Sequence, residues 1–316
     1  MPKLSQDILP YNDYSRYIKR RFGKRVQKIS VDAGFTCPNR DGTKSTGACI
    51  YCANESFSPF YCNPKISITE QLLKGIEFFS PKYKTQEYLA YFQSYTNTYS
   101  NIELLKEKYS EALDVKGICG LVIATRPDCI NEEILEMITN LGNDKYVAIE
   151  YGVESTKDDT LNFINRGHSW SDTIKAIKLT AKFKINIGVH LILGLPGENH
   201  NDFMVHAERI SKLPINFLKI HQLQILKNTP IEKIFKETPE LFMDLSLENY
   251  VKIVVDFVER LNPNIIIERF TGESPLEMII YPRWEGKKNY EITHLVVNEL
   301  KRRNSYQGKL YSNEIF

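Results

Sequence analysis

The sequence predicts an α/β fold: an incomplete, TIM-like (β/α)6 barrel with a C-terminal α/β extension. From about residue 29, six short β-branched or aromatic runs alternate with amphipathic stretches, the order produced by βα units of a parallel sheet. A complete eight-unit barrel takes about 250 residues, and six units fit a partial one at least as well. The 42 % hydrophobic and 25 % charged content is that of a soluble chain with a buried core. Alternation alone does not separate a partial barrel from an open doubly wound sheet.

The apolar runs are residues 29–33, 88–93, 120–125, 146–152, 185–193 and 215–223. Helical periodicity follows over 68–79, 102–113, 131–142, 170–183 and 202–213. Ser171 with Asp172, and Asn131 before two acids, are helix-start signals. After residue 235 the pattern changes to a helix over 245–261, a strand over 265–270, a Tyr/Trp/Lys-rich stretch and a last helix around 291–303. The expected division is a basic segment (1–28), a barrel (29–235) and an extension packed on it (236–316). There is no internal repeat and no Gly/Ser linker.

The stretch MPKLSQDILPYNDY lacks the apolar core of a signal peptide, and no apolar run approaches a membrane span. A cytoplasmic protein is expected. There, six cysteines read as metal or redox ligands rather than disulfides.

Three of the six lie in CPNRDGTKSTGACIYC: Cys37, then the C-x2-C pair Cys49 and Cys52. This loop follows the first strand, and loops after strands form the ligand face of parallel barrels. Three thiolates underfill a structural zinc site but suit a [4Fe–4S] cluster with one iron left open. The alternative is a zinc knuckle completed by Cys62, which would make a non-catalytic RNA-binding protein. Cys119 and Cys129, like Cys62 otherwise, read as small buried thiols.

The loop resembles the cluster loop of radical S-adenosylmethionine (SAM) proteins, in the branch that holds the elongator catalytic subunit. The run DAGFTCPNRDGTKSTGACIYC is similar to that of the YtqA/YhcC family. Further family-like stretches follow in order: YFQSYTNTY, ATRPDCI, EYGVEST, INRGH, HLILGLPGE, KIHQLQILKNTP and ERFTGESP. The likeness runs from about residue 12 to 310. It implies a radical SAM barrel and reductive cleavage of SAM to a 5′-deoxyadenosyl radical. It also implies an electron donor such as flavodoxin or ferredoxin. The YtqA subgroup is tied to the C5 side chain of the tRNA wobble uridine, from carboxymethylaminomethyl- toward methylaminomethyl-uridine. A radical SAM enzyme acting on a small metabolite is the alternative.

Several residues are candidates for holding SAM. Tyr51, between two ligands, could lean on the adenine. Arg126, with Thr125 and Asp128, could reach the ribose or carboxylate, or pair with an acid at the rim. Glu150 and Glu154 point to one face by alternation, and the resemblance places Glu154 near the ribose. Arg166 could fork to the carboxylate. Gly194 and Gly197, lacking Cβ, could admit the adenine. His168 reads as a capping or surface histidine as readily as a catalytic one, and His190 and His221, inside apolar strands, read as hydrogen-bonded core histidines in preference to ligands. Many family members carry a glycine-rich SAM-amino motif on the second strand. FQSYTNT departs from it, so Gln93, Ser94 and Thr96 stay unassigned, as do catalytic residues.

The net charge is only +2, so an RNA surface must come from clustering. Seven basic residues and no acid lie between Arg16 and Lys28, interleaved with Tyr14, Tyr17 and Phe22. Arg283, Trp284, Lys287, Lys288, Tyr290, Lys301, Arg302 and Arg303 form a second cluster. Cations neutralise phosphates and aromatics stack on bases, so RNA is the expected partner, and the resemblance implies tRNA.

Overall fold

The computed structural model describes residues 9–82, 86–142 and 144–312. Residues 1–8 of the stretch MPKLSQDILPYNDY lie outside them. A helix, α1 (Tyr14–Phe22), is capped by the Asp13 side chain and ended by Gly23 in the left-handed region, and β1 (Arg25–Val31) follows. Next come α2 (Ile68–Phe79), β2 (Gln86–Phe92), α3 (Ile102–Asp114), β3 (Ile118–Thr125), α4 (Glu132–Leu141) and β4 (Tyr146–Glu154). Then come α5 (Asp158–Phe163), α6 (Trp170–Lys182), β5 (Asn186–Leu193), α7 (His200–Ser211) and β6 (Phe217–Gln222). The last part holds β7 (Ile225–Leu226), α8 (Pro230–Glu237), α9 (Leu247–Arg260), β8 (Ile266–Arg269), β9 (Ile279–Tyr281) and α10 (Asn289–Arg302).

Seven parallel strands run in the order β1-β2-β3-β4-β5-β6-β8, curled into a half-barrel, while β7 and β9 form a small antiparallel pair. Asn101 and Asn131 cap α3 and α4, and Ser169 and Asn199 build capping boxes on α6 and α7. Along each strand alternate side chains face the helices. Ile29, Phe92, Ile123, Ile149, Val189 and Ile220 belong to that outer core. The inner face carries a smaller apolar cluster, with Leu89, Tyr91, Val122, Tyr146 and Phe217.

Two expectations change. The strand expected in the extension is the seventh strand of the main sheet, parallel to β6 through Phe217↔Ile266 and Leu218↔Ile267. A boundary at residue 235 therefore cuts through one sheet. The basic segment is likewise part of the barrel. Tyr14 and Tyr17 stand edge-on to Phe217 at 5.4 and 5.2 Å, and Phe22 meets Tyr146 at 5.6 Å. Phe217 and Tyr146 begin their strands, so α1 closes the base of the half-barrel, opposite the cysteine loop. These aromatics fill a core and are not offered to bases.

Candidate active site

The strand ends and the cysteine loop enclose a cavity of about 270 Å³. Cys37, Cys49 and Cys52 line it together. The loop is held by backbone turns, with Arg40 N and Asp41 N donating to Cys37 O and Cys52 N to Cys49 O (3.0 Å). The segment after α5 clasps it: Ile50 N donates to Ile164 O, and the Asn165 side chain to Ala48 O (2.7 Å). Asn39 donates to the carbonyls of Asn165 and Arg166 at 2.6 and 2.9 Å and approaches Cys49 Sγ at 3.6 Å. Arg166 also donates to Cys49 Sγ (3.7 Å). N–H donors aimed at sulfur favour the thiolate. Burial and the neighbouring thiols push Cys52 up to about 11.

Cys62 turns elsewhere. Its Sγ donates to Ser30 O at 3.1 Å and it is not among the cavity-lining residues. A four-cysteine zinc knuckle is therefore not assembled. Cys119 bonds Tyr88 O near the start of the strands, and Cys129 lies beside Asp128; neither lines the cavity.

The predicted SAM candidates separate. Glu154 sits beyond a bulge at the end of β4, at φ 67°, with a carboxylate oxygen 3.5 Å from Arg166. Burial pushes its carboxyl up, while Arg166, Arg126 and Tyr51 oppose that. Arg166 also donates to Gly152 O (2.6 Å), and its buried Nε has no partner. Tyr51 lines the same wall. Arg126, 2 % exposed, is committed to a fork with Asp128 (3.0 and 2.9 Å) and to Arg166 O (2.7 Å). Lys44 pairs with the same Asp128. Gly194 is outside the cavity lining: a Cβ there would meet Leu245 at 2.6 Å, so its missing side chain admits a leucine. His168 packs between the carbonyls of Gly152 and Ser169, pushed down to about 3 by burial and then by Arg166.

Behind this wall lies a charged interior, of which alternation along β4 gave only Glu150. Lys28 reaches Glu150 at 2.7 Å and Glu268 at 2.7 Å, and Lys219 reaches Glu150 at 2.5 Å and Glu268 at 3.4 Å. Lys28 thus leaves the proposed RNA cluster: as the fourth residue of β1 it points inward. His190 bonds Glu150 at 3.1 Å and His221 stacks on it, rings 5.6 Å apart. Gln93 faces the cavity and accepts from Ser30. Glu150 points inward as expected, and its lysines hold its carboxyl well below the usual range against the cost of burial. A readable signal existed, since Lys219 interrupts a buried apolar run. Below the loop after β5, Glu198 joins Ser155 (2.5 Å) and His206 (3.2 Å), tying that loop to β4.

Beside the cavity lies a smaller pocket, sharing Gln222, Gln224 and residues 272–274 with it. Arg283, Lys287 and Lys288 line this pocket, and Tyr290 nearby is 69 % exposed. Trp284 lines it too, with its ring packed on Tyr250 and its indole N–H donating to Leu245 O. Arg302 and Arg303 pair with Glu299, and Arg303 also with Asp256.

A half-barrel whose mouth holds three cysteines on one loop defines a class. The Radical SAM superfamily matches residues 37–210, and the Radical_SAM C-terminal domain matches 215–302. The chain belongs to the Radical SAM superfamily and is a radical SAM enzyme, using a [4Fe–4S] cluster and SAM. Within it the chain is similar to YtqA of Bacillus subtilis, 34 % identical over 95 % of this chain and 92 % of that one. A tRNA uridine(34) acetyltransferase of Methanocaldococcus infernus is 25 % identical over 64 % of this chain and 38 % of its own length. The fold matches the solved archaeal Elp3 of Methanocaldococcus infernus, with a TM-score of 0.68 at 19 % identity, covering 89 % of this chain and 64 % of that chain. The three cysteines in one cavity, with N–H donors toward Cys49, are a donor set that fits the cluster.

Proposed function

We propose that this enzyme acts on tRNA, on the C5 side chain of the wobble uridine, on the route from carboxymethylaminomethyl- toward methylaminomethyl-uridine. The observation that carries this reading is the similarity to YtqA along almost the whole chain, barrel and C-terminal part together. The similarity to a tRNA uridine(34) acetyltransferase agrees with it. The basic pocket beside the cavity supplies a surface for phosphates next to where a base would enter.

When bound, the cluster and SAM supply a carbon radical that removes hydrogen from a substrate carbon. The chain's own part is ligation, orientation and shielding. Cys37, Cys49 and Cys52 are assigned as cluster ligands. Tyr51, Glu154 and Arg166 are assigned to SAM, because all three face the cavity beside the cysteines, whereas Arg126, which also lines it, has its guanidinium forked to Asp128. Arg126 positions the loop carrying Arg166, and Gly194 supports the sheet through Leu245. A reduced flavodoxin or ferredoxin is the proposed electron source.

The test is anaerobic. The reconstituted, reduced protein is given SAM and tRNA from cells lacking the gene, and 5′-deoxyadenosine is measured. Stimulation by that tRNA, absent with tRNA from normal cells, is expected. Cleavage indifferent to either tRNA, with wobble uridines unchanged in the deletion strain, overturns the tRNA substrate and leaves a small metabolite.

A further inference from the structure

The fixed charges of the inner cavity do not balance. Glu150 and Glu268 are both taken by Lys28 and Lys219. Glu273, which also lines the cavity, accepts from Asn289 N at 2.6 Å and lies 3.9 Å from Lys288, so it is engaged away from the centre. Burial, and then the cations around them, lower the proton affinity of the His190 and His221 imidazoles, so neither adds a fixed charge to the balance. One cation remains. Arg269 lines the cavity and has no hydrogen bond or ion pair among the described residues.

Its position is built. The register between β6 and β8 shifts by one residue, so that Leu218 pairs with Ile267 and Lys219 with Arg269. The extra residue is Glu268, and a bulge lets consecutive side chains face the same side. Glu268 reaches the lysines while Arg269 lines the cavity. A regular strand would have turned Arg269 outward to the helices. A guanidinium at a cavity wall with no ion pair among the described residues suits a planar anion that can take two parallel N–H bonds.

We propose that Arg269 anchors a carboxylate of the substrate, facing the cysteine loop across the cavity. This deepens the reading above, in which the uridine side chain carries a carboxylate, and rests on it.

The experiment compares ligands on the reconstituted protein with SAM present. One pair is the nucleoside 5-carboxymethylaminomethyluridine and its carboxamide; the other is N-benzylglycine and its amide. The acid is expected to bind about 10- to 100-fold more tightly than the amide, the range of a charge-assisted fork. Arg269→Gln is expected to abolish that preference and Arg269→Lys to keep part of it. Cluster absorbance and SAM affinity report that each variant is folded. If Arg269→Gln does not fold, Arg269→Lys decides: a preference unchanged from wild type overturns the proposal. So does equal binding of acid and amide in both pairs, or a preference that survives in Arg269→Gln. A preference that depends on Arg269 in the benzylglycine pair, with no nucleoside binding, keeps the anchor and removes the uridine. Turnover stimulated by tRNA with a preference indifferent to Arg269 does the reverse.

Discussion

At the scale of residues, the site is organised by buried charge. His168 shows how burial, joined by neighbouring cations, sets a protonation state. Burial of its ring against Gly152 O and Ser169 O, and then the charge of Arg166, push it down to about 3. An unfolded histidine takes up a proton near pH 6.5. The folded group does not, so stability is complete above that value and falls as pH drops from about 6.5 toward 3. Between pH 6.5 and 5 the loss from this group is about 2 kcal/mol. His168→Gln is expected to flatten that part of the profile, which urea midpoints at pH 7 and pH 5 would show. An equal drop in both proteins would refute this role.

At the scale of elements, the two basic clusters have different places. Helix α1 carries its cations on a surface at the base of the barrel, while Tyr14, Tyr17 and Phe22 pack inward. Arg283, Lys287 and Lys288 border the mouth. The triple change Arg283→Ala, Lys287→Ala, Lys288→Ala is expected to weaken tRNA binding and lower its salt slope by about one for each lost phosphate contact. Arg20→Gln with Arg21→Gln is expected to do so less. Filter binding at several salt concentrations decides it, and a larger effect from the α1 pair would reverse the assignment. Composition located both clusters, but only the position of α1 beneath β4 and β6 tells which faces the site.

At the scale of the whole molecule, the C-terminal part is not an appendage. Strand β8 covers the edge of β6 and delivers Glu268 to Lys28 and Lys219. Removing residues after 244 would leave an open strand edge and two interior lysines sharing one carboxylate. Uncompensated buried charge costs about 3–5 kcal/mol, and a bare edge invites aggregation. The truncated chain is expected to be insoluble or protease-sensitive, and a soluble, cooperatively unfolding fragment would show that the barrel closes without β8.

Local patterns in the chain determined the βα alternation, because side-chain periodicity follows from backbone geometry and needs no partner. They determined the cysteine loop too, since ligand number and type are written in a short run. The strand at 265–270 was visible, but not its membership of the sheet, because residues 225–245 interrupt the alternation before it. Tertiary structure alone decided which charges meet. Lys28, Glu150, Lys219 and Glu268 come from four strands, and no spacing along the chain encodes that neighbourhood. It decided that Arg126 is bound to Asp128, and that Gly194 meets Leu245. It also set the bulge that turns Arg269 into the cavity, since a one-residue register shift depends on how two strands pair.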